Sequence, residues 1–389
     1  MNRKLLAALL AFPILSVIVP TGTSQTATGD GLMYIGTLDH KLLVIDEDKE
    51  EVVGEIPLAG VPRSTALTPD QKKLIVVSTK MGIEVVDLAT RKVTSSFSLA
   101  DPKSRPDLMA LVPDRISPGH FDWSLFSGLA VSPDGRYLYT TLKVVVKEID
   151  QYRIEPSKFV TIDLEDMKIV KAFEFPKDLN KGFGFLSSYK VSPDGKLLYV
   201  FDNDVRIFDL ATFTQIDRIT LSKPPYPGAA PYRLTVTDDP YDDPSKVTSV
   251  FTSVDPIVHK GTLGLASFDL RTREVDYKVI GPSLPMFGFL LTPDRKLGYS
   301  VMFQGAGGNR RTEWWVWDVK NQQVLKKQEF ESRPTFEFGI SSDGKKLYIY
   351  GSGSTLEIVD AGTLQSKKVM YLNKDLTTNL ITLARKTKG

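Results

Sequence analysis

Hydrophobic positions along this chain fall in short runs of β-branched or bulky residues, and seven of those runs end in Asp followed by a tight turn. They are Val44-Ile45-Asp46, Val85-Val86-Asp87-Leu88, Thr161-Ile162-Asp163-Leu164, Ile207-Phe208-Asp209-Leu210, Ser267-Phe268-Asp269-Leu270, Val316-Trp317-Asp318-Val319 and Ile358-Val359-Asp360. Successive Asp residues are 41, 76, 46, 60, 49 and 42 positions apart. Short strands recurring every ~40 to 50 residues mark an architecture built from radial blades.

A second repeat runs in step with the first. From the second copy on, each Asp is preceded by a turn: Thr68-Pro69-Asp70, Ser132-Pro133-Asp134-Gly135, Ser192-Pro193-Asp194-Gly195, a degenerate Thr237-Asp238-Asp239, Thr292-Pro293-Asp294 and Ser341-Ser342-Asp343-Gly344. Here Ser or Thr starts the turn through its hydroxyl, Pro presets φ, and Gly supplies a positive φ at the exit. An apolar strand follows each turn, as in Leu74-Ile75-Val76-Val77 and Leu347-Tyr348-Ile349-Tyr350. One unit therefore reads inner strand, turn, second strand, connection, third strand ending in Asp, turn, fourth strand. Fourth strands are expected at Val93 to Phe97, Val170 to Phe173, Gln215 to Ile219 and Lys368 to Tyr371. An Asp repeated in every unit is expected to anchor its own turn rather than to catalyse.

The first unit lacks an inner strand and begins at Leu32-Met33-Tyr34-Ile35, while a spare strand, Asn379 to Ala384, follows the last unit. Joining the two removes an open edge. The expectation is an all-β, seven-bladed β-propeller of four-stranded antiparallel blades, closed by the C-terminal strand on the N-terminal blade.

Charge and composition narrow the function. A formal net charge of +2 with scattered Lys and Arg gives no electrostatic case for nucleic acid or an anionic membrane. The chain has no Cys, which removes disulfides, thiolate nucleophiles, Cys-x-x-Cys-His haem attachment and Cys-ligated metals. Arg3 and Lys4, then the apolar stretch Leu5 to Val19, then small polar residues read as a secretory signal over residues 1–28, leaving the propeller at 29–389 and an exported, periplasmic location. A membrane anchor is the alternative, but the stretch is shorter than the ~20 residues that span a bilayer. The three His residues, His40, His120 and His259, lie far apart in expected loops, without metal-ligand spacing. The expected inner strands carry one carboxylate, Glu337, too few for a calcium centre of the propeller-lactonase kind. Gly305 to Gly308 leads into a strand and reads as a hairpin tip. No catalytic, cofactor-binding or metal-binding residue can be named on this chain.

The irregular stretches hold more information. Asp101 to Phe126, Lys143 to Ser157, Lys223 to Tyr232 and Asp238 to Gly261 are long for a compact fold, and such loops are usually functional. Proline restrains the aromatic residues they carry, so Phe121, Trp123, Tyr226 and Tyr232 are the expected partner contacts.

One set of segments goes beyond the repeat. Ser124 to Gly135, Glu155-Pro156-Ser157-Lys158-Phe159-Val160 and Lys171-Ala172-Phe173-Glu174-Phe175-Pro176 resemble the β subunit of quinohaemoprotein amine dehydrogenase. Lys41 to Asp46, Leu263 to Leu270, the closing strand after Thr378 and the long connection before Glu155 extend the resemblance over nearly the whole chain. It implies a non-catalytic propeller that encloses a small quinone-bearing subunit beside a dihaem cytochrome subunit, with quinone and haem in those partners. The segment Phe303 to Glu313 departs from the family pattern. A stand-alone exported propeller of the Tyr-Val-Thr-Asn repeat type, acting as a binding or surface module, is the competing reading, and a propeller hydrolase is a third.

Overall fold

Each Asp-ended run is the third strand of a blade, as its apolar content requires, because third strands are covered on both faces by neighbouring blades. A computed structural model describes residues 31–383 except 79–81, 99–125, 143–144, 148–149, 155, 176–187, 202–203, 221–231, 235–242, 244, 255–259, 306–308, 332–336, 352 and 378–379. Blade 1 holds β1 (Leu32–Thr37), β2 (Lys41–Asp46) and β3 (Glu51–Pro57). Blade 2 holds β4 (Pro62–Leu67), β5 (Lys73–Ser78), β6 (Gly82–Asp87) and β7 (Lys92–Ser98). Blade 3 holds β8 (Phe126–Val131), β9 (Tyr137–Leu142), β12 (Lys158–Asp163) and β13 (Lys168–Glu174), with a separate ribbon of β10 (Val145–Lys147) and β11 (Tyr152–Ile154). Blade 4 is β14 (Ser188–Val191), β15 (Leu197–Phe201), β16 (Val205–Asp209) and β17 (Thr214–Ile219). Blade 5 is β18 (Tyr232–Leu234), β19 (Lys246–Val254), β20 (Gly261–Asp269) and β21 (Val275–Pro282). Blade 6 is β22 (Met286–Leu291), β23 (Leu297–Gln304), β24 (Arg311–Asp318) and β25 (Gln323–Phe330). Blade 7 is β26 (Glu337–Ile340), β27 (Lys346–Tyr350), β28 (Thr355–Asp360) and β29 (Ser366–Tyr371), after which β30 (Ile381–Thr382) pairs with β1. The result is seven four-stranded antiparallel sheets, the expected propeller.

Closure of the ring is visible in the core. Seven apolar clusters form, one at each seam between neighbouring blades; the seventh joins Met33 and Leu43 of blade 1 to Tyr348 and Ile358 of blade 7. Met33 pairs with Thr382 and Tyr34 with Ile381. Period-2 alternation then splits the closing strand: Leu380 packs towards blade 7, and Ile381 and Leu383 pack towards blade 2. A polar lock accompanies this strand. The carboxylate of Glu47, 1% exposed, accepts from Ser342 N at 2.8 Å and from Ser342 Oγ at 2.5 Å. Similar seam bonds recur elsewhere, with Tyr199 donating to the Leu270 carbonyl and Tyr299 to that of Ala361.

The turn between third and fourth strands repeats in every blade, and the residue four after its Asp has positive φ each time: Glu50, Arg91, Met167, Phe213, Arg273, Gln322 and Leu364. Such a left-handed residue beside a bulge is a common way to turn a hairpin. Glycine would adopt it without strain, whereas an L-residue costs about 1–2 kcal/mol. None of the seven is Gly, and their side chains reach back to the preceding blade. Glu50 meets Lys346 of blade 7 at 2.7 Å, Arg273 meets Asp217 of blade 4 at 2.6 Å, and Gln322 meets Asp276 of blade 5 at 3.0 Å. Met167 and Leu364 join the seam cores, and Phe213 stacks on Phe159 of blade 3 with ring centroids 4.2 Å apart.

One expectation needs correction. Asp238 to Gly261 is not one long loop, since β19 runs through it for nine residues. The β-branched segment Val247 to Val254 pairs along its full length with β20, and the flanking Asp-Pro pairs had obscured it. Among the described residues the turn carboxylate of that blade is Asp243, while the expected Thr237-Asp238-Asp239 lies outside them. Ser245 donates to Asp243 through both N and Oγ, and Leu270 N donates to the Ser245 carbonyl, as Leu88 N does to Lys72 in blade 2.

Candidate functional site: the face of the long connections

Antiparallel pairing sorts the connections of a blade between two faces. Turns from first to second strand and from third to fourth share one face. Connections from second to third strand, and from each fourth strand to the next blade, share the other.

The first face is closed chemistry. At Ser132, Ser192 and Ser341 the hydroxyl donates to the Asp two residues on, at 2.5, 2.5 and 2.7 Å, and Thr68 and Thr292 do the same. In the third-to-fourth-strand turns one Asp oxygen collects local donors, as Asp209 does from Ala211 N at 3.0 Å and Thr212 N at 2.9 Å, with the Thr212 hydroxyl adding a further bond. These carboxylates are consumed as turn acceptors. The backbone N–H groups of Lys49, Thr90 and Thr272 accordingly hold Asp46, Asp87 and Asp269 below the usual carboxylate range. A group whose folded pKa lies below its unfolded value stabilises the fold above the unfolded value, and that stability is lost as pH falls through the folded one. The unfolded value is about 3.9. The expected result is therefore acid unfolding that sets in below about pH 4. Asp39, held near 2 by the Lys374 ammonium, is among the last to protonate. A thermal melt series from pH 7 to pH 2 checks this, and a flat melting temperature between pH 5 and pH 3 contradicts it.

The second face carries the variation. Strands β19 and β20 are nine residues long and β23 and β24 eight, against five or six for their counterparts in blades 1, 2, 4 and 7. At ~3.3 Å per residue the excess lifts these two hairpins by roughly 7–13 Å. The 143–157 connection of blade 3, expected to be long, is built around the ribbon β10–β11, whose register runs from Val145↔Ile154 to Lys147↔Tyr152. The strand ends Ser98 and Phe126, and Ile219 and Tyr232, also lie on this face, while residues 99–125 and 221–231 between them lie outside the described residues.

Of the expected partner contacts, Phe121, Trp123 and Tyr226 lie outside the described residues, as do His120 and His259. Tyr232 sits at the first position of β18, opposite Ser253, so it belongs to an inner strand and not to a loop. His40 occupies the β1–β2 turn with positive φ.

Glu337 opens β26 at the inner rim of this face and is the one carboxylate on the described inner strands. Burial pushes its carboxyl above the usual range. Tyr350 donates to it at 3.3 Å and accepts the N–H of Leu380 at 2.6 Å, which ties the carboxyl to the closing strand. Among the described residues no group of three or more His, Cys, Asp or Glu comes together as a metal site would require.

The described residues of the segment Phe303 to Glu313 lie at the raised end of the β23–β24 hairpin. Gly305 has φ 75° at its tip, and the Arg310 guanidinium stacks 4.0 Å from the Phe303 ring centroid. The Glu313 carboxylate accepts from Gln304 at 2.5 Å and from the Trp315 indole at 3.0 Å. Sequence reading missed this cluster because its members come from both arms of the hairpin.

Solved structures of low identity are similar to this chain. Dihydro-haem d1 dehydrogenase NirN in complex with DHE is similar over 92% of this chain and 76% of that one, at 16% identity and TM-score 0.50. Kuenenia stuttgartiensis hydrazine synthase is similar over 83% and 86%, at 16% identity and TM-score 0.48. A functionally unknown protein from Desulfotomaculum acetoxidans is similar over 92% and 99%, at 11% identity and TM-score 0.55. At these identities the likeness concerns the fold alone. No family model matches the chain, and no curated protein matches it in sequence.

Proposed function

We propose that this chain is a non-catalytic propeller subunit of an exported complex like quinohaemoprotein amine dehydrogenase. It packs against a small quinone-bearing subunit and a dihaem cytochrome subunit, which hold the quinone and the haems and carry out oxidative deamination. On this reading residues 1–28 are a cleaved signal and 29–389 the periplasmic propeller.

The supporting observation is where the resemblance concentrates. It is densest around blade 3, at Ser124 to Gly135 and Glu155 to Val160, and blade 3 alone carries an added ribbon among the described residues. That ribbon stands on the face of the long connections, the arrangement of a surface specialised to meet another protein. The opposite face spends its carboxylates on its own turns, which leaves it little to offer a partner. The test is affinity purification of the tagged chain from the periplasm of its native host. The expected result is co-purification of a haem-staining protein and a small quinone-staining protein. Recovery of a bare monomer under the same conditions overturns the proposal and favours a stand-alone binding module.

A further inference from the structure

The outer rim between blades 5 and 6 holds a groove of about 500 Å³ between the edge strands β21 and β25, both eight residues long. Its floor is apolar, formed by Ile280 and Val324, which pack onto the core of that seam. Its lips are Val279 and Leu325, 46% and 52% exposed, which sets two aliphatic side chains facing each other across the groove mouth. Lys278 and Lys327 stand on its two walls, and no carboxylate lines it. Asp276 and Glu329, each two positions from one of these lysines along its strand, are engaged with Gln322 at 3.0 Å and with Arg311 at 3.5 Å. Lys327 is held in place by the Trp315 indole, 3.7 Å from the ring centroid, and Lys278 by the Asn321 carbonyl at 3.2 Å. Two cations fixed without a carboxylate, flanking exposed aliphatic groups beside a free strand edge, make a site whose ordering cost is already met in part by the fold.

We propose that this groove receives an extended acidic segment of a protein partner, laid along the edge of β25 with carboxylates two residues before and after an apolar residue, so that all three side chains share the face turned to the groove. A strand added at a sheet edge gains main-chain hydrogen bonds, and its period-2 side chains select the sequence. Here the apolar residue enters between Val279 and Leu325, and the carboxylates two positions away on the same face meet Lys278 and Lys327. The comparable groove at the seam of blades 7 and 1 is lined by Glu50, Glu51 and Glu55 with Lys368. Charge therefore distinguishes the two rims and selects the first for an acidic segment. This inference stands apart from the identity of any redox partner.

The probe is a fluorescein-labelled heptapeptide, Ser-Glu-Thr-Val-Thr-Glu-Ser, which sets Val and both Glu on one face of an extended strand, titrated with the full chain and read by fluorescence anisotropy. A peptide with Lys in place of Glu is the control. The expected result is saturable binding of the acidic peptide, at least tenfold tighter than the basic one. It should weaken at least tenfold in Lys278→Glu combined with Lys327→Glu, and severalfold in Leu325→Ser. All three positions are exposed, so melting temperatures near the parent's confirm that the variants fold. Equal binding of both peptides overturns the proposal, as does an unchanged affinity in the double variant. Loss with the lysine changes but none with Leu325→Ser also overturns it, since that marks diffuse surface attraction and not a groove.

Discussion

A chain ending at Thr377 is expected to lose its cooperative fold. The deletion removes Leu380, Ile381 and Leu383, all less than 9% exposed, from two seam cores at once. Burying an aliphatic side chain is worth about 1.5–3 kcal/mol, so the three together forfeit roughly 5–9 kcal/mol. That is comparable with the whole stability of a typical domain, about 5–15 kcal/mol. The loss also leaves the inner edge of β1 unpaired and strips the Leu380 N–H from Tyr350. An exposed apolar edge of this kind invites association with other chains. Circular dichroism should show a broad or absent thermal transition, and gel filtration should show aggregates. Supplying residues 378–389 as a synthetic peptide should partly restore the transition. A sharp melt within 2 or 3 °C of the full chain would refute the role given to the closing strand.

Substitutions at equivalent turn positions are expected to act in opposite directions. Phe213→Ala removes a ring that is 6% exposed and stacked between Phe159 and Phe208, at 4.2 and 4.7 Å between centroids. It should cost about 3–5 kcal/mol, as large-to-small core changes do. Gln322 has the same backbone, with φ 48°, yet contributes one exposed hydrogen bond to Asp276. Gln322→Gly relieves the left-handed strain and sacrifices little, so its stability should be unchanged or higher by up to about 1 kcal/mol. Denaturant titration of both variants measures the contrast. A loss above 1 kcal/mol in Gln322→Gly would show that the side chain matters more than its exposed contact suggests.

The blade count and the closing strand were legible because their determinants are local. A Ser-Pro-Asp-Gly turn closes with hydrogen bonds inside a few residues, so its chemistry is written where it acts. The same locality misled at blade 5. Pro240, Pro244 and Pro256 read as loop, yet β19 lies between the last two and is specified by pairing with Gly261 to Asp269. Tyr232 moved from loop to strand for a similar reason, since its partner Ser253 is supplied from that unrecognised strand. The groove of blades 5 and 6 was not readable at all. It forms where two fourth strands, separated by three others in the chain, come to lie side by side.

The closing strand also sets a timetable. Blades 2 to 7 each draw their four strands from one continuous stretch, so each can assemble as soon as its own residues emerge. Blade 1 cannot, because Met33 waits for Thr382. The strands made first are thus the last to be completed, and their open edge persists while nearly all the rest of the chain is synthesised. Long-range pairings of this kind are slow to form and leave a window for misassembly. The propeller therefore behaves less like a row of independent repeats than like a clasp, secure only once its two ends have met.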